Sequence, residues 1–84
     1  MIIQPKKELR DVNNEFYIAE RRRIDMLNRE FFHDIELTQK ENDVLVWLCG
    51  LDNWTIEAVV DVLRKVRDKI LKSMLTVILM EIRQ

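Results

Sequence analysis

Glycine and proline are almost missing from this chain, and their scarcity is its strongest constraint on fold. The 84 residues include one of each, Gly50 and Pro5. β-Hairpins need turn residues between their strands, whereas a long helix needs neither glycine nor proline. Pro5 lies near the start of the chain, where a first helical turn accepts it. The sequence therefore predicts an all-α protein, folded as a single helical domain over residues 1–84.

Apolar residues recur every three to five positions from Leu9 to Phe31, which is typical of an amphipathic helix. This pattern predicts a long first helix over Pro5–Phe32. The pair Asn13–Asn14 is the weak point of the pattern, so a helix that is interrupted near Asn13 is the alternative.

The second helix has the clearest boundaries. The segment TQKE, Thr38–Glu41, matches a capping box, in which the threonine and glutamate side chains each bond a free backbone N–H. Apolar residues follow until Gly50, which we expect to take the left-handed conformation that closes a helix. These signals predict a short capped helix over Gln39–Cys49.

The third helix should be long. A short LDN link follows Gly50, with Asn53 or Thr55 as the expected N-cap. Trp54 lies beside the cap, where it could clamp the corner between the two helices. After this point no glycine or proline interrupts the chain, and apolar residues keep a seven-residue repeat. We predict a helix over Trp54–Ile82.

The end of this helix carries more apolar surface than a solvated helix does. Apolar side chains point in nearly every direction after Ile70, and such a helix is expected to be buried on all sides. The two preceding helices offer little cover in so small a chain. We therefore expect residues 70–84 to bind another copy in a homo-oligomeric helical bundle; a monomeric three-helix fold and a different protein partner are the alternatives. The expected interface residues are Ile70, Met74, Val77, Ile78 and Ile82.

The core of one copy should draw apolar side chains from all three helices. The expected core residues are Phe16, Leu27, Phe31, Leu45, Leu48, Val59, Leu63 and Val66. Cys49 is the single cysteine, and it is expected to be a buried small hydrophobic residue in a reducing compartment. The N-terminal sequence MIIQPKKELRD does not resemble a signal peptide, and the longest apolar run, MLTVILM, is too short to span a membrane. A cytoplasmic protein without a membrane segment is the expectation.

The stretch LTQKENDVLVWLCGL, Leu37–Leu51, resembles the opening of the LuxR-like DNA-binding domain. That family begins with a leucine–threonine pair, followed by an acidic residue, an aliphatic pair and a glycine. The segment TIEAVVDVL, Thr55–Leu63, stands where the family has its next short helix. The resemblance implies a helix-turn-helix shape over about a third of the chain.

The recognition helix of that family has no counterpart here, because the third helix continues without a turn. A recognition helix must present polar side chains to the major groove. Residues 24–61 instead carry nine acidic residues against two basic ones. We therefore expect the shape of a helix-turn-helix without DNA reading at this position.

Basic residues elsewhere leave a nucleic-acid-binding regulator as the main alternative function. If they met, for example across a dimer, they could grip a phosphate backbone. Solvated helix faces are the simpler interpretation, since the net charge is −1 and no aromatic residue is interleaved with the basic ones. The candidate nucleic-acid residues are Arg21, Arg22, Arg64, Lys65, Arg67 and Lys69.

A further alternative is an inhibitor that presents an acidic surface to a basic target. Its candidate residues are Asp25, Glu30, Asp34, Glu36, Glu41 and Asp43. No catalytic, cofactor-binding or metal site is predicted. His33 and Glu36 could share one side of a helical turn, but two ligands do not make a metal site. Without a phosphate-binding loop or a nucleophile paired with a base, we expect a non-enzymatic interaction or regulatory module.

Overall fold

The computed structural model describes residues 1–82, and within them the chain is all-α, with three α-helices. Helix α1 spans Asn14–Leu27, α2 spans Gln39–Cys49 and α3 spans Asn53–Ile82. A 3₁₀ turn, Lys7–Leu9, precedes α1, and a π-helical turn, Asn28–Phe32, continues it. The segment before α1, residues 1–13 (the N-terminal segment), packs with α1, α2 and the start of α3 into one small unit, here called the body. The rest of α3 extends from this body, so that the molecule measures 60 × 26 × 17 Å.

The first helix is shorter than the sequence predicted. Asn13 has an extended backbone, and its Oδ1 accepts the N–H of Phe16 at 2.7 Å, which makes it the N-cap of α1. The prediction of one helix from Pro5 was therefore wrong, and the interruption near Asn13 is what the structure shows. An asparagine side chain competes with the backbone for hydrogen bonds, and this favours a helix start over a helix interior.

The residues before this cap are held by side chains rather than by a helix. The N–H of Ile2 donates to Asn28 Oδ1 at 2.7 Å, and the carbonyl of Ile2 accepts from Asn28 Nδ2 at 2.9 Å. Asn42 makes the same two bonds to Ile3, at 2.7 and 3.0 Å. Each asparagine side chain thus makes, with one extended residue, the pair of hydrogen bonds that the backbone of a neighbouring β-strand would make. The arrangement buries Ile2 in the core.

Helix α2 confirms its predicted boundaries and its capping box. Thr38 Oγ1 accepts the N–H of Glu41 at 3.2 Å, and the N–H of Thr38 donates to Glu41 Oε1 at 2.8 Å. The prediction for Gly50 was wrong, because its φ of −79° is right-handed. A side chain at position 50 would instead be tightly packed. A Cβ there would lie 3.2 Å from both Phe16 Cζ and the carbonyl oxygen of Trp47.

The N-cap of α3 is Asp52, so the prediction of Asn53 or Thr55 was wrong by a residue or more. Asp52 Oδ1 accepts the N–H of Thr55 at 2.7 Å, whereas Asn53 Oδ1 accepts from Arg23 Nε at 2.9 Å. Trp54 does not clamp the corner between α2 and α3, since 78% of it is exposed.

The core is small and includes residues from every part of the body. Seven apolar residues are buried: Ile2, Ile24, Leu27, Val46, Cys49, Ile56 and Val60. Of the predicted core, Leu27 is buried and six residues are half-buried: Phe16, Phe31, Leu45, Leu48, Val59 and Leu63. Val66 is exposed, because the body ends near this point of α3. Burial raises the pKa of the Cys49 thiol to about 11, which keeps it protonated at neutral pH.

Candidate interaction surface on the third helix

The side of α3 that packs in the body continues, uncovered, along the part that extends from it. Ile56 and Val60 are buried, and Leu63 is half-buried one turn further on. Every described residue after Leu63 is exposed, including Ile70 and Met74, which follow on the same side at helical spacing. One apolar stripe is therefore covered at its start and open to solvent at its end.

All five predicted interface residues lie on this open part. They are Ile70, Met74, Val77, Ile78 and Ile82, and their exposed fractions run from 47% to 74%. Spacings of three, four and eight residues place them on one broad side of the helix. The predicted segment 70–84 also includes residues 83 and 84, which lie outside the described residues. A contiguous exposed apolar surface of this kind is typical of a protein interaction site.

This segment is less polar than its sequence suggests, because its two hydroxyl groups bond to the helix itself. Ser73 Oγ donates to the carbonyl of Lys69, and Thr76 Oγ1 donates to the carbonyl of Lys72, both at 3.0 Å. Hydroxyl groups that bond to their own helix in this way need no other partner. Burial of this segment would therefore leave neither of these two hydroxyl donors unsatisfied.

An ionic cluster fixes the root of the extending helix to the π-helical turn. Arg64 donates to both carboxylate oxygens of Glu30, at 2.7 and 2.9 Å, and Arg67 donates to the same carboxylate at 3.3 Å. These hydrogen bonds, those of Arg64 above all, lower the pKa of Glu30. The Arg67 guanidinium also lies 5.1 Å from the centre of the Phe31 ring. Phe31, Leu63, Val66 and Ile70 line an apolar groove beside this cluster, here called the root groove.

The residues proposed for nucleic-acid binding lie on several different surfaces. Arg21 lines a groove beside the N-terminal segment, and Arg22 lines another with Asn53 and Glu57. Arg64 and Arg67 do come together, but around an acidic partner. Lys65 and Lys69 are exposed along α3, where Lys69 borders the apolar stripe.

The acidic residues proposed for the inhibitor are divided in the same way. Glu30 accepts hydrogen bonds from Arg64 and Arg67, and Glu41 belongs to the capping box. A hydrogen bond from the backbone of Thr38 lowers the pKa of Glu41. The other four residues are exposed: Asp25, Asp34, Glu36 and Asp43. His33 Nε2 lies 3.0 Å from Asp34 on the surface.

Sequence reasoning missed a buried polar cluster around Glu20. Arg10 donates to both oxygens of this carboxylate, at 2.5 and 3.0 Å, and Gln4 donates to one of them at 3.0 Å. Burial alone would raise the pKa of Glu20, but these hydrogen bonds and the charges of Arg10 and Arg23 lower it overall. Glu20 interrupts the apolar stripe, but nothing local marks Arg10 as its partner. The cluster joins the N-terminal segment to α1.

Within residues 1–82, no group of three or more His, Cys, Asp or Glu side chains is placed to hold a metal ion. The helices of the same part are too short or too polar to cross a membrane. Comparison of the chain with protein-family models, with curated proteins and with solved structures gives no match.

Proposed function

We propose that this chain is a non-enzymatic interaction or regulatory module that works in the cytoplasm and associates with itself through the apolar side of α3. One observation carries the proposal: the stripe that forms part of the core at Ile56 and Val60 continues exposed through Ile70, Met74 and Ile78. The single buried thiol of Cys49 supports a reducing compartment.

Apolar burial provides the driving force for this association. Each square ångström of apolar surface removed from water contributes about 25 cal/mol, before the entropy cost of association. In a single copy the apolar side chains after Leu63 remain half-exposed or more exposed. A second copy offers a stripe of the same length and composition, and is therefore the simplest partner.

Phosphate binding has less support. Arg64 and Arg67, the two candidates that come together, already share the carboxylate of Glu30. An added phosphate would have to compete with that carboxylate for the guanidinium groups. The remaining candidates lie on other surfaces or border apolar residues, which suits a solvated exterior.

The solution mass tests the proposal. We expect light scattering after size-exclusion chromatography to give an oligomer whose mass depends on concentration. Ile78→Glu should shift the population to monomer, because it places a charge in the apolar stripe. Thr76→Glu is the matched control, since it adds the same charge two residues away on the opposite side of the helix and should leave the assembly in place.

A monomeric wild type at the highest concentration would contradict self-association. Equal dissociation by Ile78→Glu and Thr76→Glu would show that charge, and not the apolar stripe, controls the assembly. Circular dichroism of both variants separates dissociation from unfolding.

A further inference from the structure

We infer that two copies pair through α3 in antiparallel orientation, centred on Met74, so that the end of each helix lies against the root groove of the other. This inference rests on the self-association proposed above and adds its geometry. In this register Ile78 of the second copy faces Ile70, and Ile82 of the second copy faces Val66.

Coverage of the apolar stripe is the first argument for this geometry. The body of one copy covers α3 as far as the root groove, where Phe31 and Leu63 lie beside Val66 and Ile70. Met74 lies seven residues after Arg67 and seven before Glu81. In an antiparallel pair centred on Met74, the partner's α3 therefore covers the stripe from the point where the first body ends. The body of the partner covers the last residues of the stripe. Each stripe is then covered along its whole length.

Charge is the second argument, and it selects the orientation. At the root, Arg64 pairs with both Glu30 and Asp61, whereas Arg67 contacts Glu30 through one longer bond of 3.3 Å and has further N–H donors for a second carboxylate. Glu81 is the only acidic residue between Ile70 and Ile82. Antiparallel pairing brings Glu81 of each copy to Arg67 of the other. Parallel pairing would instead place Glu81 beside Glu81 and Arg67 beside Arg67, and like charges in contact destabilise an interface.

The expected contact area suits a dimer of moderate stability. The overlap from Arg67 to Glu81 is about 21 Å long, at 1.5 Å per residue. A helix pair of that length with the two root grooves buries on the order of 600 Å² per copy, somewhat below the roughly 800 Å² of a standard interface. We therefore expect the concentration-dependent mass proposed above.

Engineered cysteines distinguish the two orientations. In a Cys49→Ala background, Ile70→Cys and Ile78→Cys are prepared singly and together and are oxidised under native conditions. With Met74 at the centre, equivalent positions of the two copies lie about 12 Å apart along the axis, too far for a disulfide. Residue 70 of one copy and residue 78 of the other lie side by side. We expect the double variant to form a covalent dimer on non-reducing gels, and each single variant to remain uncrosslinked.

Met74→Cys in the same background is the positive control, because residue 74 meets itself in the proposed pair and should crosslink. Efficient crosslinking of either single variant would overturn the antiparallel register in favour of a parallel one. A wild-type dimer in which the double variant and Met74→Cys both fail to crosslink would also overturn it. A wild-type monomer by light scattering would instead contradict the self-association on which the inference rests.

Discussion

Glu20 links the N-terminal segment to α1 through one side chain. Its carboxylate accepts hydrogen bonds from Arg10 and Gln4, and one of its oxygens would lie 3.5 Å from a Cβ at Gly50. A buried carboxylate is stable only when it is paired and hydrogen-bonded. The packing of the N-terminal segment against α1 therefore depends on this residue, whose carboxylate also lies beside Gly50 at the end of α2.

Glu20→Gln should lower the free energy of unfolding at pH 7 by about 1–3 kcal/mol, because it removes the charge from a buried, hydrogen-bonded pair. The pKa of Glu20 is lower in the folded chain than its ordinary value near 4.3 in the unfolded one. Its contribution is therefore fully present above about pH 4.3 and is lost as the pH falls through the folded pKa. Urea unfolding between pH 3 and pH 7 should show a shallower loss of stability for the variant than for the wild type.

Glu15→Gln is the control, since Glu15 lies exposed at the start of the same helix. It should unfold within about 0.5 kcal/mol of the wild type. Parallel pH profiles for Glu20→Gln and the wild type would show that the buried carboxylate does not contribute to acid sensitivity.

At the scale of single elements, the capping box of Thr38 and Glu41 determines where α2 begins. The Thr38 hydroxyl and the Glu41 carboxylate satisfy two backbone N–H groups that a bare helix end would leave free. Thr38→Ala should destabilise the fold by about 1 kcal/mol. Thermal unfolding of the variant compared with Thr76→Ala, a threonine in the middle of an exposed helix, measures the cap without the general effect of the substitution. Equal melting temperatures for the two variants would contradict a stabilising cap.

Local signals explain which elements were predictable. The capping box and the glycine after Cys49 determine α2 from within a dozen residues, and both of its predicted boundaries are confirmed. Asn13 carries an equally local signal, and it was recognised as a possible break. The N-terminal segment has no such signal. Its shape depends on Asn28 and Asn42, which lie 26 and 39 positions further along the chain from Ile2 and Ile3.

At the scale of the whole molecule, the body and the extending helix are expected to respond differently to shortening. Residues 73–82 are exposed, so a chain that ends at Lys72 should keep the stability of the body. It should also lose the assembly, because most of the apolar stripe is gone. Deletion of residues 1–4 is the contrasting variant, since it removes the buried Ile2 and should lower the melting temperature by several degrees. Circular dichroism melts and light scattering check both, and unfolding of the shortened chain at room temperature would contradict an independent body.

The sequence by itself determined the helical class, the boundaries of α2 and the apolar character of the segment after Ile70. Each of these follows from composition, periodicity or a cap, which act over a few residues. Only the tertiary structure decided that α1 does not extend back beyond Asn13, that Asp52 caps α3 and that Glu20 pairs with Arg10. The physical reason is that these features depend on groups that are distant in the sequence. A buried carboxylate needs a hydrogen-bond donor, and the extended backbone at the N-terminus needs side-chain amides to pair with its N–H and carbonyl groups. The exposure of Val66 likewise could not be predicted from the sequence, because it depends on where the body ends and not on the seven-residue repeat of apolar residues.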